Sequence, residues 1–234
     1  MEVSTVQPRM HTDRHYEQEL RELHLKILEM GGFVEKQIAN AMGALTERDS
    51  ELARLTIERD HTVNRMEVEI DDLCIRLLAL HQPAARDLRL ITTALKITTD
   101  LERIGDMSVN LCERALELNE EAQLKPFIDV PQMAEVAQSM LRRCLDAFVR
   151  EDVEQALAVC RDDDIIDGYN EQIFRELLGY MIEDPRTITR ALRLLFVAKY
   201  LERIADHATN ISEMVVFMVK GKSIRHLDRI PQTV

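Results

Sequence analysis

An acidic motif occurs twice in this chain, about a hundred residues apart. Each copy places a glutamate, an aspartate and an asparagine at intervals of four residues, so the three side chains share one face of a helix. Two carboxylates at this spacing repel each other by a few tenths of a kcal/mol in an isolated helix, and a bound cation would relieve that repulsion. The two copies consist of Glu102, Asp106 and Asn110, and of Glu202, Asp206 and Asn210.

A second polar set lies on the helix that precedes each copy. Turns at Pro83 and at Asp184-Pro185 predict that each motif helix runs antiparallel to its predecessor. Folding the chain at the first turn places Asp60 beside Asp106, and the second half repeats this register. Each half is therefore expected to gather acids and amides between its last two helices. The preceding helices contribute Asp60, Asn64 and Glu67 in the first half, and Asp163, Asp167 and Asn170 in the second.

The ligand types favour a hard cation. All candidate side chains bind through oxygen, and no histidine lies at helical spacing from the acids. Mg²⁺, Mn²⁺, Ca²⁺ or iron(III) suit such a set better than Zn²⁺. The alternative is a solvated acidic face that needs no metal, because nearby cationic side chains neutralise it. The residues available for this are Arg103, Arg203, Lys96 and Lys199.

The composition predicts an all-α protein. Of the 234 residues, 46% are hydrophobic and only 4% aromatic, with 7 Gly and 6 Pro. Few aromatic residues and few helix breakers are typical of helical folds. The formal net charge of −12 would repel a nucleic-acid backbone, so nucleic-acid binding is not expected.

The cysteines and the start of the chain predict a cytoplasmic protein. The four cysteines are spaced singly, which fits neither a zinc ribbon nor a disulfide framework. Cys74 and Cys112 fall on apolar stripes and are expected to be core thiols in a reducing compartment. Residues 1–16 lack the apolar segment of a signal peptide. The longest apolar runs fall far short of the ~18 residues that a membrane span needs, so direct membrane insertion is not expected.

Apolar spacing predicts six helices in two similar halves. A linker at 123–131, which contains two prolines, separates the halves. The predicted domains are 1–122, which includes a loose arm over the first 14 residues, and 132–220, followed by a tail at 221–234. The pair Gly31-Gly32 predicts a close helix crossing or a kink. The expected helices cover approximately 16–48, 50–81, 85–120, 132–150, 152–183 and 187–220.

The context of the two motifs resembles the PhoU family. The first signature reads RDLR at 86–89 followed by DLERIGD at 100–106, and the second reads YLERIADHATN at 200–210. MGG at 30–32 and QP at 82–83 are also similar, so the resemblance covers nearly the whole chain. It implies two pseudo-symmetric three-helix bundles, usually in a homodimer, with acidic motifs that bind iron or other cations in some members.

The resemblance also implies a role without catalysis. The expected protein is a cytoplasmic adaptor between the phosphate ABC transporter, chiefly its ATPase, and a membrane-bound sensor histidine kinase. It would repress the phosphate-starvation response when phosphate is plentiful.

Phe174 stands where Asp71 stands in the first half, so equal metal occupancy of the two halves is not expected.

Two other classes of protein fit part of the pattern. A di-iron carboxylate enzyme would also bundle acidic helices, but the Glu-x-x-His motif that it needs on each of two helices is not paired here, since the spacing occurs once, at 58–61. A purely structural helical dimer would not need matched polar faces. No Gly-rich strand-to-helix turn is present, so a phosphate-binding loop is not predicted.

Overall fold

The computed structural model describes residues 10–224, and for side chains residues 14–224. This part of the chain is helical and contains no β-strand, which confirms the predicted fold class. A 3₁₀ turn at Pro185–Thr187 joins the last two helices. The helices are α1 Met10–Thr46, α2 Ser50–Glu58, α3 His61–His81, α4 Ala85–Asn119, α5 Asp129–Arg150, α6 Val153–Glu183 and α7 Ile188–Lys220.

The predicted second helix is divided into α2 and α3. The amide of Asp60 donates to the carbonyl of Ile57 at 3.1 Å, and the amide of Thr62 donates to that of Arg59 at 3.0 Å. These are three-residue bonds, which wind the backbone more tightly than an α-helix does. Arg59 and Asp60 nevertheless keep right-handed helical dihedrals. The two segments therefore form one kinked helix, with Asp60 at the bend, and six helical rods result.

The segments outside the predicted helices also differ from expectation. α1 begins at Met10, so residues 10–14 belong to a helix rather than to a loose arm, and residues 1–9 lie outside the described part. α5 begins at Asp129, because Pro131 fits the first helical turn, where its missing N–H is not needed. In the linker, Lys125 is buried and forms ion pairs with Asp129 and Glu176. The linker is thus held against α6.

Corresponding aspartates begin the second helix of each half. The Asp49 carboxylate accepts the amides of Glu51 and Leu52 at 3.0 and 2.9 Å, and the Asp152 carboxylate accepts the amide of Gln155 at 3.0 Å. Such caps satisfy amides that have no partner within the helix. Because the same cap recurs, the helices that follow it in the two halves can be aligned residue by residue.

One hydrophobic core extends through both halves. α4 packs against α1 and α3 in its own half and against α7 in the other, and α1 also contacts α5. His207 on α7 approaches Asp100 on α4, with 2.8 Å between Nδ1 and Oδ1. In both motif helices the leucine and isoleucine flanking the glutamate and arginine are fully buried, which turns the acids to one side of the core. The boundaries of the two predicted domains stay a prediction.

All four cysteines are buried and free, which confirms that Cys74 and Cys112 are core thiols. Burial raises the pKa of Cys74, Cys112 and Cys160 to about 12. Burial also raises the pKa of Cys144 far above the ordinary value of a thiol. The thiols are therefore protonated at neutral pH and pack as small apolar groups.

Gly31 lies where α1 crosses α5. A Cβ atom at Gly31 would lie 2.2 Å from Cδ1 of Leu145, whose side chain is buried in α5. A Cβ atom at Gly32 would meet no atom within 4 Å. Of the two predicted alternatives, this contact supports a close helix crossing at the first glycine.

Alanine substitutions are expected to distinguish the two glycines. Alanine is favoured over glycine in a helix interior by ~1 kcal/mol, so Gly32→Ala should raise the free energy of unfolding by about that amount. Gly31→Ala gains the same propensity but overpacks the crossing, which costs about 1–3 kcal/mol. It should therefore lower the free energy of unfolding by up to ~2 kcal/mol. Urea denaturation measures both, and equal stabilisation by the two substitutions would contradict the close crossing.

Candidate functional site

The first acidic cluster consists of Asp60, Glu67, Glu102 and Asp106, between α3 and α4. Burial raises the pKa of Asp60, and the charge of Asp106 raises it further. Burial likewise raises the pKa values of Glu67 and Glu102, and Asp106 adds to both. Four of the predicted residues therefore act on one another, as the register between the two helices predicts.

Gln37 on α1 also reaches this cluster, although it was not among the predicted site residues. Its Nε2 donates to Oδ1 of Asp60 at 3.3 Å, while its Oε1 is buried and accepts no hydrogen bond from residues 14–224. Gly105 has no side chain to cover this oxygen. A Cβ atom at position 105 would lie 3.4 Å from Oε1 of Gln37. A buried acceptor without a partner is costly, and a cation would satisfy it. The available signal was a polar residue on the apolar stripe of α1, between Val34 and Ile38.

The second acidic cluster consists of Asp163, Asp167, Glu202 and Asp206, between α6 and α7. Burial raises the pKa of Asp163 to about 6, and the charges of Asp206 and Asp167 contribute. Burial also raises the pKa of Asp206, followed by the charge of Glu202. The hydroxyl of Thr209 donates to Asp163 at 3.4 Å. This half therefore repeats the close approach of acids seen in the first.

The predicted amides contribute unequally. The Nδ2 of Asn170 donates to Oε2 of Glu202 at 2.9 Å, so this residue lies in the second cluster. The side-chain amides of Asn64, Asn110 and Asn210 form no hydrogen bond within residues 14–224, and Asn64 is exposed. The structure brings the eight acids together in two groups but gives these three amides no partner.

Cationic side chains neutralise part of each cluster. Arg103 lies 3.5 Å from both Glu102 and Asp106 but is 57% exposed, and Lys199 lies 2.7 Å from Glu202. Within residues 14–224, Arg203 and Lys96 form no ion pair. Arg103 in the first half and Lys199 in the second are therefore the cationic side chains that pair with the acids, whereas the metal-free alternative names four such side chains.

The side chains fit a hard cation by chemistry, although they do not form a closed ligand set. In the described part of the chain, no three His, Cys, Asp or Glu side chains converge on one point as a ligand group would. The first cluster offers only oxygen atoms, including the unpaired Oε1 of Gln37. Asp60, Glu102, Asp106 and Gln37 would hold the ion there, and its charge would offset their mutual repulsion.

The second cluster is less suited to a cation. Alignment on the aspartate caps matches Met140 to Gln37, and alignment on the E-x-x-x-D motifs matches Ala205 to Gly105. The second cluster therefore has no counterpart of the Gln37 oxygen. The methyl group of Ala205 occupies the space that Gly105 leaves open in the first cluster. Unequal occupancy of the two halves stays a prediction, and this difference gives a reason for it besides Phe174, whose side chain is exposed.

A repeated three-helix unit, with an E-x-x-x-D motif facing an acidic partner helix in each copy, defines a class of all-helical proteins. The PhoU domain matches this chain twice, over residues 27–115 and 130–215. The chain belongs to the PhoU family.

Curated relatives match most of this chain. A protein of Pseudomonas putida, named phosphate-specific transport system accessory protein PhoU homolog, is 44% identical over 93% of this chain and 85% of its own. The phosphate-specific transport system accessory protein PhoU of Escherichia coli K12 is 39% identical over 93% of this chain and 90% of its own.

Solved structures have the same fold. PhoU from Pseudomonas aeruginosa superposes with a TM-score of 0.85 at 43% identity, covering 88% of this chain and 100% of that one. The phosphate transport system regulatory protein PhoU from Streptococcus pneumoniae gives 0.83 at 32% identity, covering 89% and 99%. Among residues 10–224, no helix has the length and apolar character needed to cross a membrane.

Proposed function

We propose that this protein is the accessory regulator of a phosphate transport system. The observation that carries the proposal is the double match to the PhoU domain, together with relatives of that name along 92–93% of the chain. Both signatures retain the glutamate and aspartate that meet acids from the preceding helix. The names of these relatives describe accessory and regulatory proteins rather than enzymes.

In this proposal the protein acts in the cytoplasm, without catalysis, as a homodimer. It contacts the ATPase of the phosphate ABC transporter and a sensor histidine kinase, and it represses the phosphate-starvation response when phosphate is plentiful. A net charge of −12 suits basic patches on partner domains, because complementary charge accelerates encounter and disfavours wrong partners. The cation of the first cluster, iron or another hard ion, would have a structural role.

A deletion strain tests the regulatory role. Loss of the protein is expected to leave a phosphate-starvation reporter active in phosphate-rich medium, because the repressing contact is gone. A plasmid copy of the wild-type gene should restore repression, which excludes effects on neighbouring genes. Normal repression in the deletion strain would overturn the proposal.

Capture of the transporter ATPase tests the adaptor role in the same system. The immobilised full chain should retain the ATPase at low ionic strength and release it progressively as salt is added, because exposed charges are screened. Retention that does not depend on salt would contradict the role given to the acidic surface.

A further inference from the structure

A cavity of about 240 Å³ lies where α1, the start of α4 and the end of α7 meet. Arg21 and His24 of α1 line it, together with Arg86 and Arg89 of α4. Glu151, which follows α5, closes one side. None of these residues belongs to an acidic cluster. The cavity therefore joins elements of both halves at a basic site, on a chain that is acidic overall.

The two carboxylates of the cavity are already engaged. Both oxygens of Glu151 lie 2.8 Å from one terminal nitrogen of Arg86. Asp87 lies in the first turn of α4, where the helix dipole favours negative charge, and it accepts the hydroxyl of Tyr16 at 3.2 Å. Burial and the charge of Asp87 raise the pKa of this tyrosine to about 12, so it remains a donor. Neither Glu151 nor Asp87 is therefore available to neutralise the remaining arginines of the cavity.

The remaining basic side chains keep unused hydrogen-bonding capacity. Nε of Arg89 donates to the carbonyl of Met218 at 2.9 Å, and its terminal nitrogens have no acceptor within residues 14–224. Within residues 14–224, the nearest carboxylate to Arg21 is that of Glu17 at 3.8 Å, beyond hydrogen-bond distance. Two guanidinium groups thus border the same cavity without a bonded anion.

His24 leaves one ring nitrogen available to a ligand. Its Nδ1 lies 2.8 Å from the carbonyl of Leu20, so this nitrogen carries the proton. Its ring stacks on Phe148 with 5.1 Å between centroids, which fixes the orientation. Nε2 has no partner within residues 14–224, and as the unprotonated ring nitrogen it can accept a hydrogen bond from the hydroxyl of a monohydrogen phosphate.

We propose that this cavity binds a phosphate group. Guanidinium forks match the oxygen geometry of phosphate, and a phosphate offers more acceptor oxygens than a carboxylate to donors arranged around a cavity. Arg21, Arg89 and His24 would hold the group, while the carbonyl of Met218 keeps Arg89 in place. The site lies outside the acidic clusters and does not depend on the proposed function.

Calorimetric titration of the full chain tests the site. Inorganic phosphate, added at constant ionic strength with sodium chloride as the balancing salt, is expected to bind saturably. Arg89→Gln should weaken binding by roughly tenfold or more, because charge-assisted hydrogen bonds are lost. Arg175→Gln is the matched control, since within residues 14–224 this exposed arginine pairs only with Glu171 on its own helix. It should leave binding unchanged.

A second variant and a second ligand complete the test. Arg21→Gln removes a side chain that is 78% exposed, so it should fold normally and also weaken binding. Glycerol 3-phosphate distinguishes the source of the group: tighter binding than inorganic phosphate assigns the site to phosphomonoesters, and the reverse assigns it to the free ion. The absence of saturable binding by either ligand, or equal binding by wild type and both arginine variants, would overturn the proposal.

Discussion

Chelation is expected to lower the melting temperature of the wild-type protein by about 5–10 °C. A cation present at a hundred times its dissociation constant stabilises the folded state by about 2.7 kcal/mol. One kcal/mol corresponds to roughly 2–4 °C in a chain of this size. Without the ion, the carboxylates of the first cluster repel one another where burial already disfavours their charge. Calorimetric scans with and without chelator, followed by addition of Mg²⁺, Mn²⁺ or iron, measure the effect.

The double variant Glu102→Gln, Asp106→Asn distinguishes a cation site from an ion-pair network. It removes the ligands and their repulsion together, so it should bind no cation at the first cluster and melt no lower than chelated wild type. If Arg103 is the true partner of these acids, the variant instead strands that arginine and melts lower with or without chelator. A wild type that ignores chelator, combined with a destabilised variant, would favour the ion pairs. The variant Glu202→Gln, Asp206→Asn provides the matched comparison in the second cluster.

Asp163→Asn is expected to stabilise the chelated protein near neutral pH and to have little effect near pH 4. The folded-state pKa of Asp163 is about 6, against an ordinary value of 3.8. Between these values the folded state binds more protons than the unfolded state, so stability falls as pH rises through this window. Above the folded pKa the full cost of the charged group is present, and asparagine avoids it. A two-unit shift corresponds nominally to ~3 kcal/mol, but solvent screening of this partly exposed group reduces the expected gain to ~1 kcal/mol.

Asp164→Asn provides the control for charge alone, because Asp164 is exposed and adjacent. Melting temperatures of wild type and both variants should be compared with chelator present, at an acidic and a neutral pH. The Asp163 variant should lose the decline in stability between about pH 4 and 6, whereas the Asp164 variant should keep it. The same pH dependence in all three proteins would show that neither burial nor the neighbouring acids raise the pKa of Asp163.

The helices and the register of the acids follow from local sequence. Apolar residues at helical spacing fix the buried face of each helix, and turns such as Asp184-Pro185 fix which residues lie opposite each other. Asp60 and Asp163 therefore meet Asp106 and Asp206 as predicted. Local sequence is sufficient here because the acids that approach each other lie on consecutive antiparallel helices.

Features that depend on more distant contacts were not predictable in this way. Gln37 reaches the first cluster because α1 packs on α4, and no local pattern specifies that packing. The kink at Asp60 shifts a few hydrogen bonds by one residue, which amphipathic spacing does not resolve. The pairing of His207 with Asp100 likewise requires the two halves to be docked.

The buried cysteines give this protein reporters of its own motion. A thiol reacts with alkylating reagents as the thiolate, and burial suppresses that form at all four positions. Labelling therefore requires the surrounding helices to separate. Cys74 and Cys112 lie on α3 and α4, and Cys144 and Cys160 on α5 and α6, so each half carries two reporters. The order in which the four are labelled would reveal whether the halves open together or one at a time, without any engineered probe.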